Sequence, residues 1–162
     1  MFPSSSTGQL PVDELLANPG GYLLVDVRGV SKGEPAIPGS RRVYLLDIEE
    51  RPEAFLRPFA SQLSKRPLLF YCSKGESSYY LLDKFPDRSR LHALQGGMVS
   101  YLMTISRLLH EHPYEDQSKR GETMAKILAA LTSGETDADT FRKIVDRLLR
   151  CTPNPRFKKL VR

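Results

Sequence analysis

The chain has 162 residues, 40% apolar and 27% charged, with a formal net charge of +5. This composition suits one globular domain plus an appendage and excludes a disordered chain or a fibrous repeat. No apolar run approaches the ~20 residues that span a bilayer, and the first eight residues have neither the basic nor the apolar region of a secretory signal, so no membrane contact and a cytoplasmic location are expected. Two cysteines far apart, Cys72 and Cys151, and three histidines make neither a disulfide framework nor a metal-ligand pattern, and no metal or cofactor is expected.

The charge is unevenly placed. Residues 1–112 hold 13 Lys+Arg against 12 Asp+Glu, whereas residues 113–162 hold 11 against 7. A basic second half reads as a solvated helical face or as a unit that meets a partner. Two units are expected, residues 1–112 and residues 113–162.

Residues 1–7 read as a polar leader. Residues 12–17 form a short helix that Asn18-Pro-Gly-Gly21 stops. Residues 22–27, Tyr-Leu-Leu-Val-Asp-Val, are apolar on both faces, which suits a buried parallel strand. A Gly/Pro-rich loop covers residues 29–39, and residues 42–46 read as a second strand. Asp47 is placed to cap a helix carrying Phe55, Phe59 and Leu63, broken by Pro52 and Pro58. Residues 67–72 are the most apolar strand, followed by a polar turn at 73–77 and a helix over 78–85. A strand over 90–94 ends at Gln95-Gly-Gly97, and an amphipathic helix runs over 98–110. Strand and helix alternate, which predicts an α/β fold with a mainly parallel central sheet flanked by helices.

Beyond His112-Pro113 the pattern changes. Met124, Ile127, Leu128 and Leu131 make one helical stripe; Phe141, Ile144, Val145, Leu148 and Leu149 make a second. Ser133-Gly134 separates them and residues 136–139 resemble a capping box, giving a C-terminal α-helical hairpin. The stripes must be buried on the α/β unit, on each other, on a second copy or on a partner, and docking on the α/β unit is the favoured expectation, since short connections join neighbours in space. Residues 156–162 form a basic tail.

Cys72 ends the most apolar strand and opens a loop into a helix. Loop N–H groups and the helix start favour an anion there, so the thiolate is favoured and Cys72 becomes a candidate nucleophile. The competing reading is a small buried core residue. Lys74 adds a positive charge, and Gly75 permits the tight curl.

Four segments in order carry a resemblance to the rhodanese family of sulfurtransferases: Leu-Leu-Val-Asp-Val-Arg (23–28), Ala-Ile-Pro-Gly-Ser (36–40) with Ala36 in place of the family's usual His, Leu-Phe-Tyr-Cys-Ser-Lys-Gly-Glu-Ser (69–77) and Leu-Gln-Gly-Gly (94–97). The resemblance covers residues 10–109 and implies a rhodanese-like, single-domain member with a helical C-terminal extension. It implies that Cys72 takes a sulfur from a small donor such as thiosulfate as a persulfide and passes it to cyanide, a thiol or a protein cysteine. Ser73, Lys74, Gly75, Glu76, Ser77 and Ser78 would bind substrate, with Lys74 holding an anionic donor and the Ser77 hydroxyl bonding the sulfur. Many single-domain members carry Arg where this chain has Ser77. Asp26 and Arg28 are expected beside the site as an ion pair that fixes its loops. His92, His110 and His112 are read as structural, and Cys151 as a bystander.

Three other readings compete with the enzyme. A phosphatase of this family would carry Arg six residues after the cysteine, where this chain has Ser78, and a lone lysine is a poor substitute for a guanidinium. A catalytically weak interaction module, or a protein-to-protein persulfide carrier, would recruit a protein partner through the C-terminal helices. Nucleic acid is disfavoured because stacking aromatics are sparse in residues 113–162.

Overall fold

The computed structural model describes residues 8–29, 34–111, 117–132 and 138–151. Among these residues, five strands form one wholly parallel sheet in the order β1-β5-β4-β2-β3. They are β1 (Gln9–Leu10), β2 (Leu23–Asp26), β3 (Arg41–Arg42), β4 (Leu68–Tyr71) and β5 (Leu91–Leu94). Central β2 and β4 are buried at every position, as expected for strands covered on both faces.

Side chains alternate across the sheet with the period of two that a strand imposes. Leu24, Leu69, Tyr71 and Leu94 enter one apolar cluster, whereas Leu23, Val25, Leu68, Phe70, Cys72, Leu91 and Ala93 enter the other. Onto the first face pack α1 (Val12–Ala17), α6 (Gly97–Glu111), α7 (Gln117–Thr132) and α8 (Ala138–Cys151). Onto the second pack α2 (Leu45–Glu50), α3 (Pro52–Leu56), α5 (Glu76–Leu81) and the 3-10 turns Arg57–Phe59 and Leu82–Lys84; a short α4 (Ala60–Leu63) follows the first of these turns and leads back to β4.

Most elements lie within one residue of their expected places, but three differ. The strand expected over residues 42–46 shrinks to Arg41–Arg42. The N–H groups of Val43 and Leu45 still donate to Asp26 and Val27 carbonyls at 3.0 and 3.1 Å, so the chain stays beside β2 while already winding into α2. Asp47 does not cap that helix; Tyr44 holds the cap position and Asp47 lies in the first turn, where a carboxylate still suits the helix dipole. The helix after Cys72 begins at Glu76 rather than Ser78. β1, too short to show a period, was not legible at all.

The apolar cluster of the first face runs across the boundary expected at residue 112. Ile127, Ala130, Leu131, Phe141, Ile144, Val145 and Leu148 are buried in the same cluster as Leu15, Leu16, Tyr101 and Leu108. α7 and α8 contact each other and α6, and α8 also contacts α1. Leu128 and Met124, by contrast, are exposed. The Ala36 N–H donates to the Leu131 carbonyl at 2.8 Å, tying the loop before β3 to the end of α7. The leader, the breaks at 112–113 and 133–134, the capping box at Thr136, the Cys151 side chain and the basic tail lie outside the described residues. Among those residues no helix is long and apolar enough to cross a membrane.

Candidate active site

Cys72 follows the last residue of β4 at the carboxyl end of the sheet, where open α/β sheets place ligands. The chain then curls through residues 73–75 and enters α5. Gly75 makes the curl possible. Its φ is +94°, and a Cβ there would stand 2.7 Å from the backbone nitrogen of Gly96. Gly97 answers it with φ +59°: a Cβ on it would meet the Cys72 carbonyl and lie 2.7 Å from the nitrogen of Gly75. The two bare backbones let the start of α6 sit against the loop. There the N–H of Met98 donates to the Cys72 carbonyl at 2.8 Å and that of Val99 to the Ser73 carbonyl at 2.9 Å. The Gly-Gly pair of residues 96–97 is thus the floor of the cysteine loop.

The loop turns its donors inward. Cys72 Sγ accepts from the Gly75 N–H at 3.1 Å and from the Ser78 N–H at 3.4 Å, and Ser78 Oγ lies 3.3 Å away. Ser78 is fully buried, and its hydroxyl also reaches the Gly75 carbonyl at 3.5 Å. This corrects the expectation that Ser77 bonds the sulfur. Ser77 is exposed, because one step along a helix turns the side chain by about 100°, and position 78 faces the cysteine. α5 has only six residues, so individual N–H groups rather than an accumulated dipole polarise the site.

Above the sulfur lies an open bowl of 420 Å³ lined by Val27, Arg28, Gly29, Tyr44, Leu45, Cys72, Ser73, Lys74, Glu76 and Ser77. Six of these, including Cys72, are residues singled out from sequence. Tyr44 and Leu45 were missed, since a strand reading for residues 42–46 gave no reason to place them at the mouth. Gly75 and Ser78 are buried beneath.

Asp26 and Arg28 form the expected ion pair. Arg28 Nε donates to Asp26 Oδ1 and Nη2 to Oδ2, both at 2.9 Å, and the Arg28 N–H donates to Oδ1 at 3.1 Å. Arg42 adds a contact at 3.3 Å. Burial pushes the Asp26 carboxyl up, but the Arg28 hydrogen bonds and the charges of Arg28 and Arg42 outweigh it and hold the group below its ordinary range. Arg28 is held above its ordinary range, first by its bond to Asp26. Its Nη2 also donates to the Pro35 carbonyl at 2.7 Å, pinning the loop before β3 beside the bowl. On the other face, the Tyr71 hydroxyl meets Ser40 Oγ at 2.8 Å and accepts from the Ile37 N–H at 3.1 Å. Burial, partly countered by the Ser40 bond, pushes that phenol up to about 12. His92 lies in β5, away from the bowl; burial and then Arg90 lower its pKa, and Tyr22 meets its ring edge-on.

No protein-family model and no curated protein matches the sequence. Among solved structures, the chain is similar to a rhodanese-related protein from Thermoplasma volcanium, at 16% identity over 59% of this chain and 91% of that one, with a TM-score of 0.46. It is similar to a Saccharomyces cerevisiae homologue of single-domain rhodanese and of the Cdc25 phosphatase catalytic domain, at 20% identity over 64% and 86%, with a TM-score of 0.46. A probable thiosulfate sulfurtransferase aligns at 23% identity over 60% of this chain and 46% of that one, with a TM-score of 0.42. The parallel sheet flanked by helices and the glycine-floored loop wrapped round Cys72 agree with the fold that the four ordered motifs imply.

Proposed function

We propose that the protein is a sulfurtransferase working through a Cys72 persulfide. One observation carries this reading: the sulfur of Cys72 sits at the bottom of an open bowl and receives two backbone N–H groups with a buried hydroxyl beside them. Such fixed donors stabilise an anionic sulfur as an oxyanion hole stabilises oxygen. The Cys72 thiolate attacks the outer sulfur of thiosulfate, a new S–S bond forms, and sulfite departs with the electron pair of the bond that breaks. An acceptor thiolate or cyanide then takes the outer sulfur and returns the pair to Cys72. Lys74, on the wall of the bowl, attracts the anionic donor.

The phosphatase reading finds no support in the loop. The residue six after Cys72 is the buried Ser78, and Arg28, the guanidinium lining the bowl, is engaged by Asp26. A phosphoryl group would lack its bidentate partner.

Intact-protein mass after incubation with thiosulfate tests the proposal. A reductant-labile gain of one sulfur, absent in Cys72→Ser, is the expected result. No adduct with thiosulfate or with an organic persulfide would favour the interaction module.

A further inference from the structure

Two charged groups stand on the bowl wall, Lys74, which the chemistry above uses only to attract the donor, and Glu76, which it leaves without a role. Lys74 and Glu76 both line it, two residues apart, yet neither is paired with the other or with any described residue. Arg28 is already bound by Asp26 and Pro35. Among the described residues the bowl therefore offers one uncommitted cation and one uncommitted anion, and Glu76 offsets part of the pull of Lys74 on a doubly negative donor such as thiosulfate. Val27, Leu45 and the half-exposed Tyr44 add apolar surface to the same lining, with the Tyr44 ring against Gly29.

Resting on the persulfide reading, we propose that the sulfur acceptor is a small zwitterionic aminothiol of the α-amino-acid type. Its carboxylate meets Lys74, its ammonium meets Glu76, and its carbon body lies against Tyr44 and Leu45. Its thiol loses a proton to solvent, and the thiolate attacks the outer sulfur of the Cys72 persulfide. The acceptor's new S–S bond forms as the Cys72 Sγ–S bond breaks, and the electron pair stays on Cys72 Sγ under the Gly75 and Ser78 donors. The acceptor leaves as its persulfide; no outside oxidant or reductant is needed.

The test uses full-length protein loaded with sulfur from thiosulfate and three thiols: cysteine, cysteamine, which lacks the carboxylate, and 3-mercaptopropionate, which lacks the ammonium. Ratios of kcat/KM between thiols, compared across variants, cancel their intrinsic reactivities. Glu76→Gln should lower the cysteine to 3-mercaptopropionate ratio about threefold to fivefold at low salt, the range of a solvent-exposed ion pair. Lys74→Met should lower the cysteine to cysteamine ratio by a similar factor. Both effects should shrink in high salt. Sulfur loading of the wild-type protein with both ratios unchanged in the variants would overturn this inference and leave the sulfurtransferase intact. Failure of the wild-type protein to load sulfur from any donor would overturn both.

Discussion

The two faces of the sheet follow one packing rule but are covered differently. On one face, Leu24, Leu69, Tyr71 and Leu94 lie under α1, α6, α7 and α8, and the cluster extends to Phe141 and Leu148 near the end of the described chain. On the other, Val25, Leu68, Phe70 and Ala93 lie under α2, α3 and α5, short helices that follow closely on the strands they cover, and Cys72 closes the row. The Cys72 face is assembled from local connections and ends in an open bowl; the opposite face is closed by a distant segment. Chemistry and stability are therefore partly separable. They meet where Ala36 binds the Leu131 carbonyl while its neighbour Pro35 accepts from Arg28.

That separation can be tested, and the largest effect belongs to the Cys72 face. Cys72→Ser should cut thiosulfate:cyanide transfer by more than about a thousandfold, as loss of a nucleophile does, with the melting temperature nearly unchanged. Substantial transfer by the folded variant would refute the assignment. On the opposite face, Phe141→Ala removes a buried ring and should lower stability by about 3–5 kcal/mol, or about 10 °C in melting temperature for a chain of this size. The folded fraction should still form the Cys72 persulfide. A melting curve equal to wild type would mean that α8 does not close the core.

Smaller effects sharpen the contrast. Ser78→Ala keeps the backbone donors but removes the hydroxyl 3.3 Å from Cys72 Sγ. Sulfur transfer should fall about tenfold to a hundredfold, the worth of one buried hydrogen bond to a charged group, whereas Ser77→Ala should fall far less. Equal losses would return the role to Ser77. The smallest effect concerns pH. Asp26 titrates below its ordinary value of 3.8 in the folded chain, so its support is fully present above that value and is lost as pH falls through the lower folded one. Wild type should lose melting temperature as pH falls below about 4, and Asp26→Asn should show a shallower acid limb. Identical slopes would mean that the pair does not hold the bowl's rim.

What the sequence by itself determined was whatever depends on local period and local chemistry. An all-apolar β4 announces a strand buried on both faces, the helical stripe of residues 98–109 announces α6, and a cysteine between strand and helix announces a cradled sulfur. The stripe holding Phe141, Ile144, Val145 and Leu148 required burial, and the structure supplied the surface. Tertiary structure alone decided which serine faces Cys72, because a helix start shifted by two residues rotates every later side chain. It alone brought Tyr44 and Leu45 to the bowl, since an edge strand with one neighbour can leave the sheet after two residues. It alone gave the glycines at 96–97 their purpose, because the backbone they admit is that of Gly75, some twenty residues earlier in the chain.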